Sequence, residues 1–139
     1  MTTLVTDTGF RADDWTHRIT PYNQVPANDC DPVVAVDVPS GVDPDDLADR
    51  LDALKLIRVD FPSFADGRGF TIARRLRLMG YTGRLRARGH VIADQYAMAR
   101  RSGFDEVEIN ETLAKRQPEP QWLARAKWQA HDYQTRVRG

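Results

Sequence analysis

The 139 residues contain one cysteine, Cys30. One thiol cannot close an intrachain disulfide, form a cysteine-only zinc site or hold an iron–sulfur cluster by itself. Long apolar runs are missing too, and nothing approaches the ~18–20 residues of a membrane span. The opening Met1-Thr2-Thr3-Leu4-Val5-Thr6-Asp7 has no basic region leading into an apolar stretch, so no signal peptide is expected. With so little cysteine, a reducing, cytoplasmic setting is the expectation. Net charge is also absent, since 20 bases balance 20 acids. That argues against a uniformly basic nucleic-acid binder and against an acidic disordered chain, and neither nucleic acid nor membrane is expected as a partner. What is present, 41% apolar and 29% charged residues, suits one domain over 1–139 with a single core.

The zero net charge is a sum of two unlike halves. Residues 1–60 hold 12 acids and five bases, a net −7, so residues 61–139 carry +7. The densest stretch, 68–101, has nine arginines against Asp94 alone. Gathered on one face, such a block would dock an acidic partner; scattered over helix surfaces, it would only be solvated.

The hydrophobic pattern reads as an α/β domain. Leu4-Val5-Thr6 and a second short strand near Trp15, around a turn at Asp7-Thr8-Gly9, suggest an N-terminal β-hairpin. Pro21, Pro26, Asn28, Asp29 and Pro32 make 20–32 a loop. The apolar run at 33–38 suits a buried strand. Asp43 as cap, Pro44 in the first turn and Asp45 and Asp46 behind it start a helix whose Leu47, Leu51 and Leu54 face inward. Strand 56–61, loop 62–69, a helix over 70–79 stopped by Gly80, strand 84–88, a helix over 91–102 ended by Gly103 and a strand within 104–109 follow. The last strand alternates Val107 and Ile109 with Glu106 and Glu108, as an edge or half-exposed strand would. Residues 33–110 therefore form the β-α repeat core, a short parallel sheet that is either open or a partial barrel. Pro118 and Pro120 break the chain, and 117–139 is a tail that starts as a helix from Trp122.

Parallel sheets collect ligands beyond the carboxyl ends of their strands. That rule selects Asp37, Pro39, Ser40 and Gly41 after the first strand. It selects Asp60, Ser63, Asp66, Gly67, Arg68 and Gly69 after the second. Arg88, Gly89, His90 and Asp94 follow the third, and Asn110 the fourth. Within this set Phe64-Ala65-Asp66-Gly67-Arg68-Gly69-Phe70 could cradle an anion, through glycines, a helix start and a fixed guanidinium fork. The competing reading is a turn that needs glycine, with Arg68 paired to Asp60 or Asp66. The segment has neither the dinucleotide G-x-G-x-x-G spacing nor the Walker Gly-Lys-Ser/Thr ending. His90 and Asp94, one helical turn apart, are the candidate catalytic pair for proton transfer, or else a cap and a polar contact. Ser40 and Ser63 lie in no nucleophile elbow. His17, His90 and His131 are too far apart to suggest a metal site. Arg74, Arg75, Arg77, Trp122 and Trp128 are the candidates for partner binding.

Phe61-Pro62-Ser63-Phe64-Ala65-Asp66-Gly67-Arg68-Gly69-Phe70 resembles a bacterial family known as domain of unknown function 934. The likeness continues through Leu78-Met79-Gly80-Tyr81-Thr82-Gly83, Arg88-Gly89-His90-Val91-Ile92-Ala93-Asp94-Gln95 and Arg100-Arg101-Ser102-Gly103-Phe104-Asp105. It spans roughly residues 33–110, and the opening hairpin is similar as well. The carboxyl end departs from the family's short aromatic ending; Trp128 and Tyr133-Gln134 come nearest to it, at a different spacing. Members are labelled oxidoreductases of sulfite reduction, from genes beside the sirohaem sulfite reductase. The resemblance therefore implies a pathway more than an activity, and no family catalytic residues carry over.

Electron transfer needs a redox centre, and no fingerprint for a flavin or a nicotinamide is visible, which leaves only a loosely signposted one as a cofactor. The expectation is an accessory protein of sulfite assimilation. Its basic segment or tail would dock sulfite reductase or a small acidic electron carrier, steered by opposite surface potentials and weakened by salt. The alternative is an enzyme that binds a small oxyanion or phosphorylated ligand at the strand ends.

Overall fold

Seven strands share one sheet in the computed structural model, which describes residues 2–16, 18–22 and 34–126. They are β1 (Thr2–Thr6), β2 (Gly9–Ala12), β3 (Thr20–Pro21), β4 (Ala35–Val38), β5 (Leu56–Phe61), β6 (Arg84–Gly89) and β7 (Glu106–Asn110), in the spatial order β2-β1-β7-β6-β5-β4-β3. β3 to β7 are parallel and lie side by side in chain order. Each crossover thus steps the same way along the sheet, and crossovers of one hand place their helices on one face.

That face is the apolar one. Val36 and Val38, Ile57, Val59 and Phe61, Leu85 and Ala87, and Val107 and Ile109 alternate onto it and share one core. The same core takes Leu47, Leu51 and Leu54 from a 3-10 helix (Pro44–Arg50) and the stretch behind it, Phe70, Ile72 and Leu76 from α1 (Arg68–Leu78), and Tyr96 and Ala99 from α2 (Tyr96–Ser102). The 3-10 helix opens as its sequence requires, with the Asp43 carboxylate accepting from the Asp45 N–H at 3.0 Å. α3 (Glu111–Arg116) adds Leu113, and α4 (Glu119–Leu123) adds Trp122.

Several expectations are corrected. The second hairpin strand is Gly9–Ala12, not a strand near Trp15. A short strand, Thr20–Pro21, lies within the expected 20–32 loop and pairs with β4. The 91–102 helix divides into a 3-10 turn (Ala93–Gln95) and α2. The last helix starts at Glu119, ahead of Trp122. The largest correction concerns β7, which is no edge. β1 adds to its free side in antiparallel register, from Thr2↔Asn110 to Val5↔Val107. Glu106 and Glu108 are thereby buried on the sheet's second face. No described helix is long and apolar enough to cross a membrane. Cys30, His17, Trp128, His131 and the segment from 127 on lie outside the described residues.

Candidate functional site

The second face of the sheet buries Leu4, Ala35 and Leu56 and is otherwise lined with charge. Along β6, Arg84, Arg86 and Arg88 alternate onto it; along β7, Glu106 and Glu108 do; β5 adds Arg58 and Asp60, and β4 adds Asp37. The register sets these side chains in rows, Asp37↔Arg58↔Arg86↔Glu106 and Asp60↔Arg88↔Glu108. Opposite charges on neighbouring strands are within reach of one another, which is why three arginines can share one short strand. Arg58 holds Asp37 in a two-pronged pair, Nε to Oδ1 at 2.5 Å and Nη2 to Oδ2 at 2.7 Å, and also donates to Glu108. Burial works against the Arg58 charge, but Asp37 and Glu108 outweigh it and its pKa stands above the ordinary value. Arg86, fully buried, donates to Glu108 at 2.7 Å and to Asp13 of the loop after β2. Arg84 donates to Glu106 and Asp14; its hydrogen bond to the Glu106 carboxylate is the largest influence on its pKa and raises it, ahead of the opposing desolvation.

At the carboxyl ends of the strands this ladder opens. Two adjoining cavities, about 420 and 300 Å³, share Asp60 and Arg88 as lining residues. Asp37 and Tyr22 line the first; Thr2, His90, Glu108 and Asn110 line the second. Gly89 takes φ +110°, and a side chain there would meet the Phe61 carbonyl oxygen at 2.7 Å. The turn this allows points the His90 N–H at that same carbonyl (2.9 Å), with the His90 Nδ1 at 3.2 Å from it. The His90 ring stands edge-on to Phe64. Tyr22 donates to Asp46 at 2.6 Å, and burial, assisted by that carboxylate, pushes its pKa up to about 12.

The Gly-Arg-Gly segment resolves toward the plainer of its two readings. Arg68 clasps Asp66, not Asp60, through Nε (3.0 Å) and Nη2 (2.7 Å), and Nη2 also donates to Ser40. The Asp66 carboxylate accepts the Arg68 backbone N–H as well (3.0 Å). The protein's own carboxylate thus stands where an external anion would meet the start of α1. The Arg68 side chain, then its backbone N–H, hold the Asp66 carboxyl well below the ordinary range. Gly69 serves packing, since a Cβ there would sit 2.4 Å from the Phe61 ring. Ser63 is exposed and its hydroxyl accepts from the Ala65 N–H. Gly67 is the residue before α1 and gives no side-chain cap.

The other candidates separate. His90 and Asp94 do not meet, because Asp94 accepts from Arg125 at 2.7 Å and His90 faces Phe61. Trp122 is 1% exposed, donates to the Gln117 carbonyl and packs edge-on to Tyr96, so it anchors the core rather than a partner. Arg75 pairs with Asp45 across to the 3-10 helix. Arg77 donates to the carbonyls of Tyr81, Gly83 and Gly103 and to Asp105, tying the end of α1 to the loops before β6 and β7. Arg74 is exposed. Missed altogether from the sequence were Arg58, Arg86, Glu106 and Glu108. Their one trace in the sequence, arginines and glutamates spaced two apart in successive strands, becomes readable only once the sheet order sets those strands side by side.

A single β-α domain with a polar strand-end cavity and a charge-lined sheet face is thus the class of protein in view. The chain belongs to the family described as a bacterial protein of unknown function, DUF934, which matches residues 35–139. No curated protein matches it, and no solved structure does.

Proposed function

We propose that the protein is an accessory component of assimilatory sulfite reduction, docking an acidic surface of sulfite reductase or of its electron carrier through the outer face of α1 and α2. One observation carries this reading. Of the nine arginines in 68–101, seven pair with carboxylates of the domain itself. Arg74 and Arg101 form no ion pair among the described residues, and both are exposed. They flank Leu78 (81%) and Met98 (51%), the two most exposed large apolar side chains among the described residues.

Helical spacing puts Arg74 and Leu78 on one side of α1, and Met98 and Arg101 on one side of α2. The two helices follow parallel strands and so run the same way. The Arg77 Nε donates to the Gly103 carbonyl at 3.0 Å, which ties their ends together. Exposed apolar groups rimmed by arginine are the composition of a recognition surface. The basic segment as a whole is not the surface, because the N-terminal acids and those at 105–108 have already neutralised most of it. The family resemblance is what supports the pathway in this reading, and the helix face is what supports the docking.

The test is affinity purification of the tagged full chain from its own host at low salt. Sulfite reductase or its carrier should be recovered and should be lost as salt rises. An Arg74→Glu/Arg101→Glu double variant should lose at least tenfold in recovery, mainly through slower association. Arg75→Ala should bind as the native protein does. Equal recovery by the double variant, or a chain that comes through alone, would defeat the reading.

A further inference from the structure

We infer that the strand-end cavity is a binding site for a small zwitterion of the α-amino-acid kind, its carboxylate on Arg88 and its ammonium on Asp60. The inference is independent of the docking face, which lies on the helices at the other side of the domain.

It begins from an imbalance between two rows of the same ladder. In the inner row, Asp37, Arg58, Arg86 and Glu106 all have charged partners on neighbouring strands. In the row at the mouth, Asp60 sits beside Arg88 in register, at the about 4.8 Å spacing of adjacent strands. Yet the two do not bond. Arg88 reaches only Glu108, through Nε at 3.4 Å, and its side chain is 47% exposed. Asp60, half-buried, has no hydrogen bond or ion pair among the described residues. Asp37, Glu106 and Glu108 on the same face are all paired, so Asp60 is its one carboxylate on β4 to β7 left without a partner among the described residues. Both side chains line the same two cavities, whose volumes of about 420 and 300 Å³ lie in the range of small-ligand sites.

Charge selects the ligand. Four carboxylates and four guanidiniums stand on this face of β4 to β7; Arg11 of β2 adds a fifth base and Asp13 and Asp14 two more acids, which leaves the face one charge acidic. A simple oxyanion would enter against that field, and a simple cation would be repelled by Arg88. A ligand carrying both charges a few ångströms apart meets the fork with its carboxylate and Asp60 with its ammonium, and adds no net charge.

The test is an amide NMR titration of the full chain with millimolar L-alanine, and with propionate and ethylamine as its two half-charged counterparts. L-alanine should give saturable shifts at Gly89, His90 and Asn110, and each half should bind at least tenfold more weakly. Asp60→Asn and Arg88→Gln should each cost at least tenfold while the remaining spectrum stays native. Asp60→Asn is isosteric and decides the matter if Arg88→Gln disturbs the fold. No saturable shift with L-alanine, equal binding of propionate, or native-like binding by Asp60→Asn would overturn the inference. The Arg74→Glu/Arg101→Glu variant should titrate as the native chain does, so loss of this site and loss of docking are read separately.

Discussion

On one side of the sheet Ile57, Val59, Leu85 and Val107 are sealed beneath α1, α2 and the 3-10 helix. On the other side Arg86, Glu106 and Glu108 are hidden almost as completely. The apolar face gains by leaving water, with no requirement on the order of its residues. The charged face loses hydration and recovers it only because each guanidinium finds a carboxylate, opposite or diagonal to it, on a neighbouring strand. Burial on the first side therefore tolerates apolar exchanges of similar volume, and on the second it is conditional on the neighbours. The larger consequence is functional: a face that must satisfy charge pair by pair shows at once where a pair is missing, and that place is the Asp60–Arg88 row.

Breaking the charged face at its centre should have the largest effect. Arg86→Ala leaves Glu106 and Glu108 facing each other at 3% exposure with one guanidinium fewer between them. Removing one partner of a buried pair costs about 3–5 kcal/mol, which urea unfolding at neutral pH would show as a lower midpoint at unchanged slope. If the loss were under about 1 kcal/mol, within the range of a surface pair, the face would be far wetter than its burial indicates and the contrast between the two sides would fail.

The same contrast explains what could be read from the sequence. Period-two alternation identifies β5 to its ends, and Leu47, Leu51 and Leu54 identify the stripe behind Asp43, because an apolar side chain needs only to be inside. The position of β7 was not legible. Glu106 and Glu108 look like solvent-facing residues until Arg84, Arg86 and Arg88 are set beside them, and that neighbourhood is a matter of sheet order. The long-range addition of β1 to β7, from the other end of the chain, left no local trace either. Arg68–Asp66 was foreseeable from two residues of separation. The partners of Arg77, carbonyls at Gly83 and Gly103, were not, because backbone acceptors carry no sequence signal.

On the apolar side, tolerance should end where backbone meets ring. Gly69→Ala places a methyl 2.4 Å from the Phe61 ring, itself 1% exposed and wedged against Phe70 and Phe104. Overpacking of this kind costs about 1–3 kcal/mol. Gly67→Ala, whose nearest neighbour would be Phe70 at 3.9 Å, should stay within about 0.5 kcal/mol in the same urea experiment. Equal losses at the two glycines would assign Gly69 to backbone freedom instead of packing.

The smallest effect belongs to the exposed Arg68–Asp66 clasp and is visible mainly as pH dependence. Asp66 in the folded chain is held below the ordinary carboxylate range by the Arg68 side chain and backbone N–H. A depressed folded pKa gives stability that is present above the unfolded value, about 3.9, and is lost as pH falls through the lower folded value. Asp66→Asn should therefore be slightly less stable than native at pH 7, and the gap should close as the buffer is taken well below pH 4. Arg68 is 64% exposed at its side chain, so salt should narrow the gap at pH 7 as well. A gap that persists unchanged into acid would mean that the neutral hydrogen bonds of Asp66, not its charge, hold the start of α1.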